Sequence, residues 1–491
     1  MAFDFIKNFA RGIKKLFSSN FTSSIAGIAQ NQNITSDKML EAIDLWLKMF
    51  NGNAPWLDED TKSLNLPAVI ASEISKQVTL EMQMTISGSP MADFISEQMK
   101  KVLDNIRETT EYACAGGGIV FKPYIYEDGI TTEIVHADMF YPFAYNNDQK
   151  ITGAYFIYRK WEGKKVYSRI EKHEMKGKTY TVTNTAYVSA SEDSLGKECL
   201  LTDVEEWSDI EPVTVINDIE SPLFSYFKIP IGNNVDQKSP LGVSVYSRAV
   251  DLIQQADEQW DRLMWEYKGG ELAIDATEDA FKKVNGKLQL PEGKERLYRA
   301  NNLDAATTHG ESLMKTFSPA LRDANYISGL NRIMIQIENA CCLSRGVLSD
   351  PTEVEKSATE MRIMKQRSYV TVSDIQTSLQ SALDELVKAM YTLAYLYELC
   401  PDGQYSTQYV WDDSIIVDAE AERARDQVEV SQGLMMKWEY RVKWYGEDEE
   451  TAKRILDEAK EKSDDEIMNF INEQTGEEEE EEEPKLNEEK K

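Results

Sequence analysis

From Thr352 to Leu399 the chain contains neither glycine nor proline, and this run constrains the fold more than any other feature. The two residues that most readily interrupt a helix are missing from it. A continuous helix of about 47 residues would be about 70 Å long at 1.5 Å per residue, deeper than a compact globular core. Thr352 with Glu355, and Ser357 with Glu360, stand at capping-box spacing just after Asp350-Pro351. Val370-Thr371-Val372-Ser373 is the expected bend, because β-branched residues lose rotamer freedom in a helix and serine competes for backbone hydrogen bonds.

Two shorter helical patterns precede this run. In the first, Val245, Ala249, Leu252, Ile253, Ala256, Trp260 and Leu263 recur at three- and four-residue steps, predicting a helix entered at Ser239-Pro240 and closed by Gly269-Gly270. Trp265 lies about 140° round that helix from Trp260, off the apolar stripe. The second starts near Ser318-Pro319 and carries Tyr326, Leu330, Ile333, Met334 and Ile337 up to Cys341-Cys342, with Gly346 as its expected stop. The insert between them reads as Leu272–Ile274 strand, Glu278–Val284 helical turn, Pro291–Lys294 turn and Arg296–Arg299 strand. That is too little core to stand alone.

The N-terminal half changes period midway. Helices are expected over Thr35–Phe50 with Ser36 as N-cap, over Pro67–Glu81, and over Ala92–Thr110. Gly116-Gly117-Gly118 then reads as a flexible crossing into β structure. Strands are expected at Ile119–Tyr124, Thr132–Val135, Gly153–Tyr158, Lys165–Glu171 and Lys178–Val182, with hairpin signals at Asp128-Gly129, Gly163 and Gly177. This is an antiparallel meander, and the fold class is α+β. Ala137–Pro142 reads as an aromatic-rich loop. Beyond the long helix, a strand is expected at Tyr409–Val417 and helices at Glu420–Met436 and Glu447–Lys460.

The net charge is −31, and the segment 464–491, with its seven consecutive glutamates at Glu477–Glu483, accounts for −10 of it. Such a run repels itself and buries nothing, so residues 463–491 are expected to be a disordered acidic tail. The remaining −21 leaves no basic stripe of the kind that engages phosphates for sequence-specific reading. No run of eighteen apolar residues exists, so no membrane span is expected. Phe3, Phe5, Ile6, Phe9, Ile13, Leu16 and Phe17 among lysines describe either a membrane-surface helix or one that docks on its own chain or a neighbour.

Chemistry is sparse. His136, His173 and His309 are far apart, and the five cysteines form no metal or disulfide pattern. Gly177-Lys178-Thr179 lacks the distant glycine of a P-loop, since residue 172 is lysine. Cys114 and Cys342 have no histidine nearby in sequence to act as a base. Asp412-Asp413 is a pair that can bind a divalent metal or simply end a strand. Lys356, Arg362, Lys365 and Arg367 can touch DNA, or pair with Glu353, Glu355 and Glu360 on their own helix. No cofactor is expected.

Ser318-Pro319-Ala320-Leu321-Arg322 with its helix, Cys342-Leu343-Ser344-Arg345-Gly346, Lys356-Ser357-Ala358-Thr359-Glu360 and Trp411-Asp412-Asp413-Ser414-Ile415 occur in this order. Together they resemble portal proteins of tailed double-stranded DNA bacteriophages, of the type found with Gram-positive hosts. The resemblance implies a portal-like architecture: a wing over 1–238, a stem helix over 239–270, a small mixed clip over 271–317, a second stem helix over 318–345, a tunnel loop over 346–357, the long helix and return to the wing over 358–417, and a helical crown over 418–462. It implies a non-enzymatic ring, usually of twelve subunits, at one capsid vertex, assembled in the host cytoplasm. Double-stranded DNA would pass through without sequence readout, and no membrane would be involved. The expected partners are the terminase large subunit, the major capsid and scaffolding proteins, and a head-completion adaptor. Gly346, Asp350, Glu353, Glu355, Lys356, Arg362 and Lys365 are then the expected channel residues. Leu272, Ile274, Leu297 and Tyr298 are the expected clip contacts between subunits. The reading from a different class is a cytoplasmic metal-dependent hydrolase built from the scattered carboxylates.

Overall fold

The computed structural model describes residues 35–191, 194–270, 273–277, 283–284, 287–288, 298–301, 314–317, 320–351, 358–411 and 419–456, with backbone only for 273–317, 358–367 and 419–422. The amphipathic N-terminus, the capping boxes at 352–360 in part, Asp412-Asp413 and the acidic tail therefore lie outside the described residues. The chain divides into two compact units after Trp411.

Helix α1 (Asp37–Phe50) begins where expected, with Ser36 Oγ accepting the Met39 N–H at 3.4 Å. It buries Met39, Ile43, Trp46 and Met49 against α2 (Leu66–Thr79). Strand β1 (Met82–Ser87) follows, an element the local pattern does not predict. The single helix expected over 92–110 is two, α3 (Pro90–Asp104) and α4 (Ile106–Gly116). Asn105 separates them, turned out of helical geometry, its side-chain amide donating to the Lys101 carbonyl at 3.1 Å. An asparagine that bonds the backbone itself gives the chain an alternative to the helix ladder.

The β region spans β2 (Gly118–Tyr126), β3 (Gly129–His136), β4 (Phe140–Tyr145), β5 (Ile151–Glu162), β6 (Lys165–Lys176), β7 (Thr179–Ser189), β8 (Lys197–Cys199), β9 (Val213–Ile216) and β10 (Ser225–Lys228). It is antiparallel as expected, but it forms two sheets, β10-β2-β3 and β4-β5-β6-β7-β8, with β9 also against β7. The aromatic loop expected at 137–142 is half strand. Phe140 pairs with Phe156, and Pro142 sits on the sheet edge beside a bulge, where a missing N–H is tolerated.

The first stem helix does not start at Pro240. Residues 240–249 are non-helical, and α5 runs from Val250 to Gly269. Tertiary contacts override the helical period there. The Val245 N–H donates to the Cys114 carbonyl at 3.0 Å, the Gly242 N–H donates to the Tyr226 hydroxyl at 3.0 Å, and the Tyr246 hydroxyl donates to the Trp46 carbonyl at 2.9 Å. The segment is a strap laid across the α4–β2 corner. Of the two tryptophans on α5, Trp260 is half-buried rather than core, and Trp265 is 71% exposed.

Between α5 and α6 (Asp323–Ala340) lies a small sheet of β11 (Ala273–Thr277), β14 (Tyr298–Asn301) and β15 (Met314–Phe317), with β12 (Lys283–Val284) and β13 (Lys287–Leu288) as a separate hairpin. The helical turn expected at 278–284 is thus replaced at its end by a strand. Asn285-Gly286, a strong two-residue hairpin signal, separates β12 from β13.

The long helix α7 (Ala358–Leu396) has 39 residues and continues through Val370–Ser373 without a break. At 1.5 Å per residue it is about 58 Å long. Its buried side chains begin at Ser368 among those described, and Val372, Ile375, Leu379, Leu383, Leu386 and Met390 place it in the core. Burial of Val372 and Ile375 compensates for the β-branched run where a bend was expected. Ser378 Oγ donates to the Lys228 carbonyl at 2.6 Å, and Ser368 Oγ to Gln77 Oε1 at 3.0 Å, tying α7 to β10 and α2. Strand β16 (Ser406–Trp411) then pairs antiparallel with β1, more than 300 residues away in sequence.

The second unit holds α8 (Ala419–Gln432) and α9 (Lys437–Tyr445). The helix expected to reach Met436 stops at Gln432, before the left-handed Gly433, and α9 was not expected. Buried Asp426 accepts from Lys443 Nζ at 2.7 Å and Trp444 Nε1 at 2.9 Å, joining the two helices.

Candidate functional site

Helices α5 and α6 pack antiparallel as a hairpin that carries the small sheet at its tip. Glu266 closes that tip, accepting from the Arg322 backbone N–H and from Nε at 3.1 Å each, and from Nη2 at 2.7 Å. The Arg322 guanidinium holds the Glu266 carboxyl below its ordinary range. Lower down, Gln259 Nε2 donates to the Tyr326 carbonyl at 3.4 Å. Of the expected clip residues, Ile274 and Tyr298 are brought together as register partners across the parallel β11–β14 pair. Leu272 and Leu297 lie outside the described residues.

At the other end of the hairpin, α6 stops at Ala340 rather than running on to Gly346. Cys342 takes the left-handed position (φ 58°), and the Leu343 N–H donates to the Glu338 carbonyl at 2.9 Å. This is a Schellman ending with cysteine where glycine is usual, and buried Leu343 supplies its apolar contact. The described part of the expected tunnel loop, 346–351, is bonded to side chains of α6. Glu338 Oε1 accepts the N–H groups of Gly346, Leu348 and Ser349 at 3.0, 2.7 and 2.8 Å, and Oε2 accepts the Ser349 hydroxyl at 2.8 Å. Asn331 Oδ1 accepts the Asp350 N–H at 2.8 Å. Gly346 has φ +91°. Glu353, Glu355 and Lys356 lie outside the described residues, and Arg362 and Lys365 lie in α7 where only the backbone is described. Sequence reasoning does not single out Glu338. The signal available was a carboxylate in the last turn of a helix, where the macrodipole disfavours negative charge.

Among the described residues, a buried charged cluster sits between the β10-β2-β3 and β4-β5-β6-β7-β8 sheets. Lys122 on β2 contacts Glu171 on β6 at 2.9 Å, Glu133 on β3 at 3.0 Å, and the Tyr158 hydroxyl. Arg169 reaches Glu171 at 3.1 Å. His173 Nε2 lies 2.5 Å from Glu171, and Nδ1 lies 2.6 Å from the Tyr180 hydroxyl. Burial opposes ionisation of Glu171, but Lys122, His173 and Arg169 outweigh it and hold the carboxyl far below its usual range. Burial lowers the His173 pKa despite the carboxylate beside it, so the imidazole is neutral, with Nε2–H donating to Glu171. A His–Glu couple is sealed here from any substrate, at 5% and 7% exposure. Burial also pushes the Cys114 and Cys341 thiols well above their ordinary values, which suits inert core cysteines.

Among the described residues, no group of three His, Cys, Asp or Glu side chains converges where a metal ion could sit, and no helix is long and apolar enough to cross a membrane. Nothing there supports the hydrolase reading. No curated protein matches the chain. The family model for phage portal proteins of the SPP1 Gp6-like type matches residues 62–465 of the 491, and its members are structural rather than catalytic. That match runs through the two large sheets, the α5–α6 hairpin and α7 and into the second unit, and the chain therefore belongs to the SPP1 Gp6-like family of phage portal proteins.

Proposed function

We propose that twelve copies of this chain close into a ring at one vertex of the phage capsid, with a central channel through which double-stranded DNA is packaged and later ejected. In this reading α5 and α6 are the stem, residues 271–317 the clip, residues 346–357 the channel loop, and residues 418–462 the crown. The wing is the part before the strap together with α7 and β16. ATP hydrolysis belongs to the terminase large subunit, which docks on the ring. The major capsid and scaffolding proteins surround it, and a head-completion adaptor replaces the motor after filling. The ring assembles in the host cytoplasm and ends in the virion.

The observation that carries the ring is the apolar skin of the α5–α6 hairpin. Trp265 on α5 is 71% exposed and Ile327 on α6 49%, and Leu321 just before α6 is 44% exposed. Large aromatics and aliphatics left exposed along one hairpin mark a protein interface. The acidic body supports passage without grip, because a channel that neutralised many phosphates would hold DNA instead of letting it slide.

Native mass spectrometry of the full chain tests this directly, and a closed assembly near twelve subunits is the expected result. A monomer or dimer overturns it. Trp265→Gln is expected to leave the thermal midpoint of the subunit nearly unchanged, since little is buried there. Ring occupancy at fixed concentration should fall severalfold, because a truncated interface aromatic costs about 2 kcal/mol per contact. Trp260→Ala should do the reverse, lowering the midpoint with a smaller effect on rings. Unchanged rings with Trp265→Gln would remove this face from the interface.

A further inference from the structure

The loop that leaves α6 turns back and is fastened to the helix it has just left. Residues 331 and 338 are seven apart, two turns on one face at 100° per residue, and span about 10 Å along the axis. Glu338 holds residues 346–349 and Asn331 holds residue 350, so the segment runs back along α6 between these two points. The Glu338 side chain is nearly inaccessible, 1% exposed. Its two oxygens take three backbone N–H groups and one hydroxyl, close to the acceptor capacity of a carboxylate. Charge-assisted bonds of this kind are the strong ones, and losing their acceptor would leave the Leu348 and Ser349 N–H groups unpaired, while the Gly346 N–H keeps the Ser349 hydroxyl at 3.2 Å.

We infer that Glu338 is the positioning residue of the channel loop, clamping residues 346–350 to α6 together with Asn331 so that the chain leaves for residues 352–357 from a fixed point. The inference rests on the reading of 346–357 as the loop that meets DNA. The clamp fixes the described root of that loop to α6. A loop whose root wanders would obstruct a sliding duplex even in a perfectly assembled ring. Glutamine is the discriminating substitution. It keeps the size and leaves one carbonyl oxygen for the three N–H groups, with its –NH2 facing the Ser349 hydroxyl in place of Oε2, but it removes the negative charge that strengthens those bonds.

Hydrogen exchange on full-length rings tests the clamp, and nuclease-protected DNA tests its role. For Glu338→Gln the expected result is at least tenfold faster exchange of the Gly346, Leu348 and Ser349 amides, with α5 and α7 unchanged and rings intact. Packaged DNA should fall severalfold. Asn331→Ala should free the Asp350 amide and give a smaller loss of packaging, and it serves where Glu338→Gln fails to fold. Unchanged exchange in these variants overturns the clamp. Faster exchange with undiminished packaging overturns the positioning role. Rings of the unaltered chain that protect no DNA would instead sink the channel reading, while the exchange rates would still decide whether the clamp exists.

Discussion

Lys122→Met is expected to lower the unfolding free energy by about 3 kcal/mol at pH 7, because removing one partner of a buried charge network leaves the others uncompensated. Lys122 is 5% exposed and is the one side chain that reaches from β2 to the carboxylates of β3 and β6. Methionine fills much of its volume, so the loss is electrostatic rather than a cavity. The pH dependence is specific. Glu171 is held below its ordinary pKa in the folded protein, so its contribution is present above the unfolded value of about 4.5 and is lost as pH falls further. Without Lys122 that depression shrinks, and the gap between variant and parent should narrow between pH 5 and pH 3. Buried neutral His173 acts in the same direction in both proteins, since below about pH 6.5 the unfolded imidazole takes a proton that the folded one refuses. Urea denaturation at pH 7, 5 and 3.5 measures the gap. A gap that stays constant or widens towards acid would show that Lys122 does not hold Glu171.

Gly242→Ala is expected to cost about 3 kcal/mol or more and to loosen the strap from the α4–β2 corner. A methyl group at Gly242 would sit 2.1 Å from the Gly117 carbonyl oxygen, a distance no contact tolerates, and the neighbour is backbone that cannot rotate away. Gly117 in turn has φ +89°, ends α4, and would place its own methyl group 2.7 Å from the Gly242 carbonyl oxygen. Each glycine exists for the other. The expected signature is a lowered thermal midpoint together with early proteolysis between Ser239 and Val250. Gly163→Ala, in an open hairpin turn with nothing within 4 Å, is the control and should lose only the strain of its positive φ. Equal losses in the two variants would reject the close approach.

Local pattern carried much of the helical content. Ser36 capped its helix, the α6 stripe lay within a few residues of its position, and the Gly- and Pro-free run holds one uninterrupted helix over 358–396. The meander was legible because β5, β6 and β7 pair with their sequence neighbours across short glycine turns. Strand β1 was not, since Met82–Ser87 gains its identity from β16 far along the chain, and a six-residue alternation alone does not announce a partner. The candidate channel residues were placed by family resemblance, whereas Glu338, which organises the described part of that loop, showed only as a charge in a helix dominated by its apolar spacing.

The sequence by itself determined the α+β class, the helix–insert–helix order, the acidic body and the absence of a recognisable catalytic motif, because these depend on composition and on periods within one element. Tertiary structure decided where α5 begins, how the glycines at 116–118 are used, and which buried charges face one another. A helical period at 240–249 was outcompeted by hydrogen bonds to Cys114, Tyr226 and Trp46, groups that reach the strap only once α1, α4 and β10 have packed together. Propensity for a helix is worth tenths of a kcal/mol per residue, whereas burying Val243, Val245 and Tyr246 together is worth several, so the long-range contacts win.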